Sequence, residues 1–244
     1  NELPQGCTLP PGSPEPGWSG SRSMNWLMSL LPHVEQESLF SRIEHGKGLP
    51  FSSYREFNDQ VRGVVVRPFL CPTVGMTLTS TASTENPTEV GFGLTHYFGN
   101  AGSMLYFDDG LFGYAISIRI TDITDGPSNT LLFGERPPGP RGEGSPWYLG
   151  EGASLGPYTT LMATDDTRYN SVQQGCPGPG APGTGPVRPG RLVDPCSRSH
   201  FWSLHPGGAN FAFADGSVRF LQYAASPLLP ALATRDGGEG HPLD

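Results

Sequence analysis

The sequence predicts an α+β domain in which a helix packs on an antiparallel β-sheet and long Pro/Gly-rich loops connect the elements. Three observations predict this class: an amphipathic segment near the N-terminus, a hairpin signal near the C-terminus, and a high content of loop-forming residues. The chain has 244 residues, of which 34 are glycine and 26 are proline. Aromatic residues make up 10% of the chain, which favours an ordered, loop-rich fold over disorder.

The hairpin signal is the dipeptide Asp215-Gly216, which lies between two short β-prone runs at 210–214 and 217–221. An Asp-Gly pair in this setting predicts a type I′ turn, whose two central residues both need a positive φ. We therefore expect two antiparallel strands that meet at this dipeptide.

His205 precedes Asp215 by nine intervening residues, and Gly207 and Gly208 free the backbone to turn into the first strand. An imidazole and a carboxylate are groups from which a metal or catalytic site is built. A hairpin, however, places them at opposite ends of a strand, and five extended residues already span about 16 Å. We interpret His205, Gly207, Gly208, Asp215 and Gly216 as a structural signature.

Residues 24–45 carry the amphipathic pattern, which predicts a helix that packs on the sheet. Its apolar residues recur at roughly i, i+3, i+4 and i+7: Trp26, Leu27, Leu30, Leu31, Val34, Leu39, Phe40 and Ile43. Ser23 and Asn25 are both suitable N-caps. Pro32 inside the segment predicts a kink or the first turn of a second helix.

Strands are predicted at 61–70, 95–100 and 115–120, and an Asx-type turn at Asp125-Gly126 leads into another short strand before residue 135. We interpret 1–244 as one domain, with these parts: an irregular arm at 1–23, the helical segment at 24–45, sheet and loops over 61–223, and a C-terminal tail at 224–244.

Charge argues against nucleic acid as a partner. Acidic residues outnumber Lys and Arg by 23 to 15, and the net charge of −8 repels phosphate backbones. The four cysteines, Cys7, Cys71, Cys176 and Cys196, include no CxxC pair, so two disulfides and an oxidising compartment are expected rather than zinc. Of the three possible pairings we favour Cys176–Cys196, which closes a Pro/Gly-rich loop, and by elimination Cys7–Cys71.

Four aspartates, Asp108, Asp109, Asp122 and Asp125, form the densest acidic group, and calcium prefers such oxygen ligands. The D-x-D-x-D-G order of a self-contained calcium loop is missing, so solvated turn residues are the preferred interpretation.

No enzymatic activity is expected, and no catalytic residue is assigned. Ser199, His200, Ser203 and His205 suggest a hydrolase, but no G-x-S-x-G elbow is present. Trp147, Tyr148 and Trp202 fit either a contact patch for a glycan or protein, or partly buried loop anchors.

Several segments, in order along nearly the whole chain, resemble a family of planctomycete envelope proteins of the prepilin type. They are WLMSLLPHVEQESLF at 26–40, VRPFLCP at 66–72, THYFGNAG at 95–102, residues 120–135, the His–nine residues–Asp-Gly signature from His205 to Gly216, and residues 229–238. Pro127 stands where the family usually has threonine.

The resemblance implies the extracytoplasmic head of a type IV pilin-like or major-pseudopilin-like protein, a structural subunit of a filament or secretion system. Its partners would be other pilin-like subunits, and it would touch the membrane only through a hydrophobic helix that these 244 residues lack. The alternative from the sequence is an extracellular binding module for a polysaccharide or a secreted substrate.

Overall fold

The computed structural model describes residues 2–8, 24–46, 61, 63–75, 91, 93–104, 108–113, 116–139, 147–148, 160–164, 176 and 185–239. Most of the predicted arm, including Ser23, lies outside these residues, as does most of the loop sequence between 140 and 184. Within the described part, no helix is both long and apolar enough to cross a membrane.

The amphipathic segment forms two short α-helices, α1 at Trp26–Leu30 and α2 at Glu37–Gly46. Asn25 caps α1, because its side chain accepts a hydrogen bond from the Met28 amide at 2.9 Å. Pro32 lies in a 3-10 turn, Leu31–Val34, which ends at Glu35 in a left-handed conformation. The predicted helix is confirmed, and the proline divides it in two.

Five strands form one mixed sheet in the described part of the chain, which confirms the α+β class. They are β1 at Tyr97–Gly102, β2 at Leu131–Glu135, β3 at Leu161–Ala163, β4 at Gly208–Phe213 and β5 at Val218–Gln222. Their order is β3-β1-β2-β4-β5, and every neighbouring pair is antiparallel except β1 and β3, which are parallel. The predicted sheet was wholly antiparallel, and β3 is the exception.

An apolar cluster lies on each face of this sheet. On one face, α1 and α2 pack with side chains that include Trp26, Leu31, Leu39, Phe112 and Leu161. On the other face, a second cluster joins the strands to a third helix, α3 at Leu229–Ala233. Its strand and helix members are Phe98, Leu131, Met162, Ala209, Phe211, Phe213, Leu221, Leu229 and Leu232. The C-terminal segment is therefore part of the core up to Ala233, where a tail was predicted.

The strands predicted at 61–70 and 115–120 are wrong over their described residues. Arg67–Phe69 and Pro72–Val74 are 3-10 helices, each with a proline in its first turn that cannot donate to a strand ladder. Arg119 makes one isolated bridge to Glu2 before the 3-10 helix Ile120–Asp122 begins. Among the described residues, neither segment pairs with a strand beyond that single bridge, so β-prone composition alone did not produce strands there.

The hairpin of β4 and β5 pairs Gly208 with Gln222 through to Ala212 with Val218. Its turn is not type I′, because only Gly216, with φ of 84°, has a positive φ at the tip. The Phe213 amide donates to the Ser217 carbonyl and the Gly216 amide to the Phe213 carbonyl, both at 2.9 Å. This is a three-residue loop with glycine in the left-handed position.

The cysteines follow half of the predicted pairing. Cys176–Cys196 is a disulfide with a Cα–Cα distance of 5.5 Å. Cys7 and Cys71 are not bridged to each other, and both are buried. The elimination argument failed because the two cysteines lie in different surroundings. Cys7 belongs to the α1 side of the core and forms an isolated β-bridge with Asn25, whereas the Cys71 side chain faces Glu135 and His205.

Candidate metal centre and apolar face

Three side chains from distant parts of the chain converge beside the sheet: Cys71, Glu135 and His205. Cys71 directly precedes the 3-10 helix Pro72–Val74, Glu135 is the last residue of β2, and His205 lies in the loop before β4. Antiparallel pairing of β2 with β4 brings the end of one strand next to the start of the other. The sheet register therefore joins two of these residues, and the 66–75 segment supplies the third.

The ligand atoms of the three residues lie within 4.8 Å of one another. The His205 Nε2 atom is 3.2 Å from the Glu135 Oε1 atom and 3.7 Å from the Cys71 Sγ atom. Glu135 is almost fully buried, whereas 28% of the His205 side chain is exposed. The cluster therefore has a buried wall and one side open to solvent.

Hydrogen bonds hold each of the three residues in place. The backbone amide of Asn210 donates to the Glu135 Oε2 atom at 2.7 Å, and the Asn210 side-chain amide donates to the same oxygen at 3.2 Å. The Cys71 amide donates to the Nδ1 atom of His96 at 3.0 Å. The His205 amide donates to the Ser203 hydroxyl oxygen at 2.9 Å.

Burial dominates the electrostatics around the cluster. It raises the pKa of the Cys71 thiol, and the nearby Glu135 carboxylate raises that pKa further. Burial, followed by the charges of Cys71 and Glu135, raises the pKa of Tyr97 to about 12. Burial also lowers the pKa of His96 to about 4, so His96 is neutral at physiological pH and can accept from the Cys71 amide.

The geometry limits the chemistry that these groups can do together. In a nucleophilic relay, histidine contacts the nucleophile through one ring nitrogen and the orienting carboxylate through the other. Here the same Nε2 atom faces both the thiol and the carboxylate. Three donor atoms that point at one another suit a shared ion rather than a proton relay.

An apolar groove of about 450 Å³ lies next to the cluster, between the N-terminal helices and the sheet. Its walls include Trp26, Leu30, Phe69, Tyr97, Phe133 and Val218. Glu135 and Asn210 also line it, so the cluster and the groove share a border. At the edge of the groove Val218 is 68% exposed, and beyond the groove Phe220 is 46% exposed on the same face of β5.

Comparison with known proteins identifies the family. A family model described as "Protein of unknown function (DUF1559)" matches residues 1–227. The chain belongs to the DUF1559 family. Searches of curated proteins and of solved structures found no match.

The four aspartates considered as calcium ligands are not among the groups of possible metal ligands that meet in the described part of this DUF1559 chain. Asp122 pairs with Arg119, whose guanidinium lowers the pKa of that carboxyl. The Asp109 carboxylate accepts from the Ser103 amide and hydroxyl. Asp125 accepts from the amides of residues 237 and 238 at 2.7 and 3.0 Å.

The backbone carbonyl of Asp108 accepts from the Arg235 guanidinium. Arg235 also donates to the Gly110 carbonyl at 2.9 Å, and its backbone amide donates to Asp109. These aspartates therefore anchor the segment that follows α3 to the 108–125 loops, which is a structural role.

The predicted signature residues separate into two groups. His205 belongs to the cluster with Cys71 and Glu135, and Gly207 takes a positive φ of 82° where the chain turns into β4. Gly208 pairs with Gln222 at the far end of the hairpin from Asp215 and Gly216. Asp215 lies at the tip of the hairpin, where its carboxylate accepts a hydrogen bond from the Ser217 amide at 2.8 Å.

The aromatic patch proposed for glycan contact is wrong, because Trp147 and Trp202 are fully buried and Tyr148 nearly so. Trp147 donates its ring N–H to the Val64 carbonyl at 2.7 Å, as a loop anchor does. The two serines that were considered for a hydrolase site donate to the main chain: Ser199 to the Cys196 carbonyl, and Ser203 to the Gly208 carbonyl.

Proposed function

We propose that this DUF1559 chain is a non-enzymatic structural subunit, the extracytoplasmic head of a pilin-like or pseudopilin-like protein of a filament or secretion system. The observation that carries the proposal is the open apolar face beside α1, formed by the groove, Val218 and Phe220. This surface is called the open face below.

A sheet face of this composition is stable when another element covers it. The N-terminal helices cover the β3–β1–β2 side of the face, and the β4–β5 side remains uncovered in the described structure. A helix is about 10 Å across, which is also the usual spacing of packed layers. We propose that a long apolar helix of the pilin type occupies the open face, so that the head is held in an assembly through it.

Two further observations support an extracytoplasmic structural role. The Cys176–Cys196 disulfide is a bond that persists in oxidising compartments. The family is associated with planctomycete pilin-like proteins, and the motifs quoted above extend along nearly the whole chain. The DUF1559 head would then be displayed outside the cytoplasm.

The oligomeric state of residues 1–244 tests the helix-dependent part of the proposal. By analytical ultracentrifugation the chain alone should be a monomer, because its described residues include no helix long and apolar enough to drive assembly. Filaments formed by residues 1–244 alone would contradict helix-dependent assembly.

Substitutions on the open face test its role in the native host. Val218→Glu with Phe220→Glu should prevent incorporation of the protein into its envelope assembly, since it places two charges where an apolar helix would pack. Val193→Glu is the matched control, because Val193 is 80% exposed and does not line the groove. Equal incorporation of both variants would contradict the proposal.

The second candidate function is an extracellular binding module, and the same groove favours it if the groove is a ligand site. Its apolar walls, with a carboxylate and an amide at one end, suit an apolar segment of a secreted protein better than a polysaccharide. A glycan array and a peptide array, both probed with residues 1–244, distinguish the two ligand classes. Peptide binding that Val218→Glu abolishes, in a protein that forms no assembly in cells, would favour this candidate.

A further inference from the structure

We propose that Cys71, Glu135 and His205 bind one divalent transition-metal ion, with Zn²⁺ as the ion that fits this ligand set best. The proposal does not rest on the structural role proposed above. It also changes the interpretation of His205. The sequence spacing relates His205 to Asp215 in a structural signature, whereas in the fold its side chain lies beside Cys71 and Glu135.

The distances between the ligand atoms suit a tetrahedral zinc ion. Bonds of about 2.3 Å to sulfur and about 2.05 Å to nitrogen and oxygen place S and N about 3.6 Å apart, and N and O about 3.3 Å apart. The corresponding distances here are 3.7 Å from Cys71 to His205 and 3.2 Å from His205 to Glu135. An ion could enter with only small side-chain movements.

The donor set selects the class of metal. Thiolate and imidazole are ligands for zinc and its transition-metal neighbours, whereas calcium and magnesium prefer oxygen alone. Three protein ligands are also the number that leaves a fourth zinc position for water or another ligand. The exposed part of His205 puts that position on the solvent side, next to the groove.

The surroundings hold the ligands ready for the ion. Asn210 fixes the Glu135 oxygen that points away from His205, which leaves Oε1 directed at the cluster. Backbone hydrogen bonds to His96 and Ser203 fix the positions of Cys71 and His205. Such supporting bonds are typical of protein metal sites, where they orient the ligands.

Cobalt absorption tests the proposal most specifically, because Co²⁺ replaces Zn²⁺ and reports a thiolate ligand by charge-transfer absorption in the near-ultraviolet. Protein stripped with EDTA, with its disulfide intact, should bind one Co²⁺ with this band, and Zn²⁺ should displace it. Cys71→Ser should abolish the band, and both Cys71→Ser and His205→Asn should weaken Zn²⁺ binding by about 100-fold or more.

The controls are Cys7→Ser, which removes the other unbridged cysteine, and His33→Asn, which removes an exposed surface histidine. Both should bind Zn²⁺ as the wild type does. Zn²⁺ should also raise the melting temperature of the wild type and of Cys7→Ser, but not that of Cys71→Ser, as long as circular dichroism shows that each is folded. The proposal is overturned if wild-type protein lacks the cobalt band, or if Cys71→Ser and His205→Asn keep wild-type affinity.

Discussion

Two buried histidines make the stability of this protein sensitive to mild acid. Burial, with a smaller contribution from nearby arginines, lowers the pKa of His96 to about 4 and the pKa of His200 to about 3. In an unfolded chain a histidine has a pKa of about 6.5. Between these values the unfolded state binds a proton that the folded state excludes. The stability that depends on keeping these two histidines neutral is therefore fully present above pH 6.5, and it is lost as the pH falls.

The size of the effect follows from proton linkage. Each histidine lowers the free energy of unfolding by about 1.4 kcal/mol per pH unit in this range, so the two together approach about 2.7 kcal/mol per unit between pH 6 and 5. The full loss is on the order of 3 kcal/mol for His96 and 5 kcal/mol for His200. Domains are typically stable by about 5–15 kcal/mol, so the protein should lose much of its stability as the pH falls toward 4.

Urea unfolding at pH 7, 6 and 5, with EDTA present, measures this slope. His200→Phe keeps a planar ring in the buried position and removes one titrating group, so its slope should fall to about 1.4 kcal/mol per pH unit. His33→Asn, at an exposed position, should keep the wild-type slope. A wild-type free energy of unfolding that does not change over this pH range would show that the buried histidines do not set the pH dependence. A His200→Phe slope equal to that of the wild type would show the same for His200.

Three other substitutions test individual features of the fold by thermal or urea unfolding. Gly216→Ala should cost about 1–2 kcal/mol, since the left-handed φ of 84° disfavours a side chain although the space is open, and Gly216→Asn should cost less. Cys176→Ser with Cys196→Ser should cost about 3 kcal/mol by releasing the loop, and a melting temperature that reductant leaves unchanged would count against it. Asn100→Ala should lower the free energy of unfolding by about 3 kcal/mol or more, because it leaves two buried carbonyls and one amide without a hydrogen-bond partner. The Asn100 side chain now joins β1 to β2 and to α3 through these bonds. A loss below about 1 kcal/mol would show that water replaces them.

Local signals in the sequence were sufficient for the elements whose structure depends on near neighbours. Asn25 and Pro32 set the start and the break of the helical segment through capping and a missing amide, both of which act within a few residues. The hairpin was predicted for the same reason. Its turn type was not, because a glycine at the tip satisfies a three-residue loop as well as a two-residue one.

Features that depend on distant contacts could not be predicted from a single sequence. The strand predicted at 61–70 had the right composition, but none of the described strands pairs with it, and only the sheet order shows this. Asn100 stood inside a predicted strand, and nothing local indicates that its side chain would bond to carbonyls 31 and 133 residues away.

The candidate metal centre was missed for a related reason. Glu135 is 64 residues from Cys71 and 70 residues from His205 in sequence, so no spacing motif joins them. A carboxylate that ends the apolar strand LLFGE was the one available signal. The predicted Cys7–Cys71 disulfide also removed Cys71 from the candidate metal ligands. That prediction assumed that an even number of cysteines must all form disulfides.

Site-specific photo-crosslinking in the native host tests the proposed structural role most directly. A benzoylphenylalanine residue in place of Phe220 lies on the open face, and the same residue in place of Val193 is the control at an exposed position away from the groove. We predict that mass spectrometry finds the crosslink from position 220 on a long apolar helix, either upstream in the same polypeptide or in a neighbouring pilin-like subunit, and finds no such crosslink from position 193. Crosslinks from position 220 that reach no apolar helix, or the same products from both positions, would contradict it.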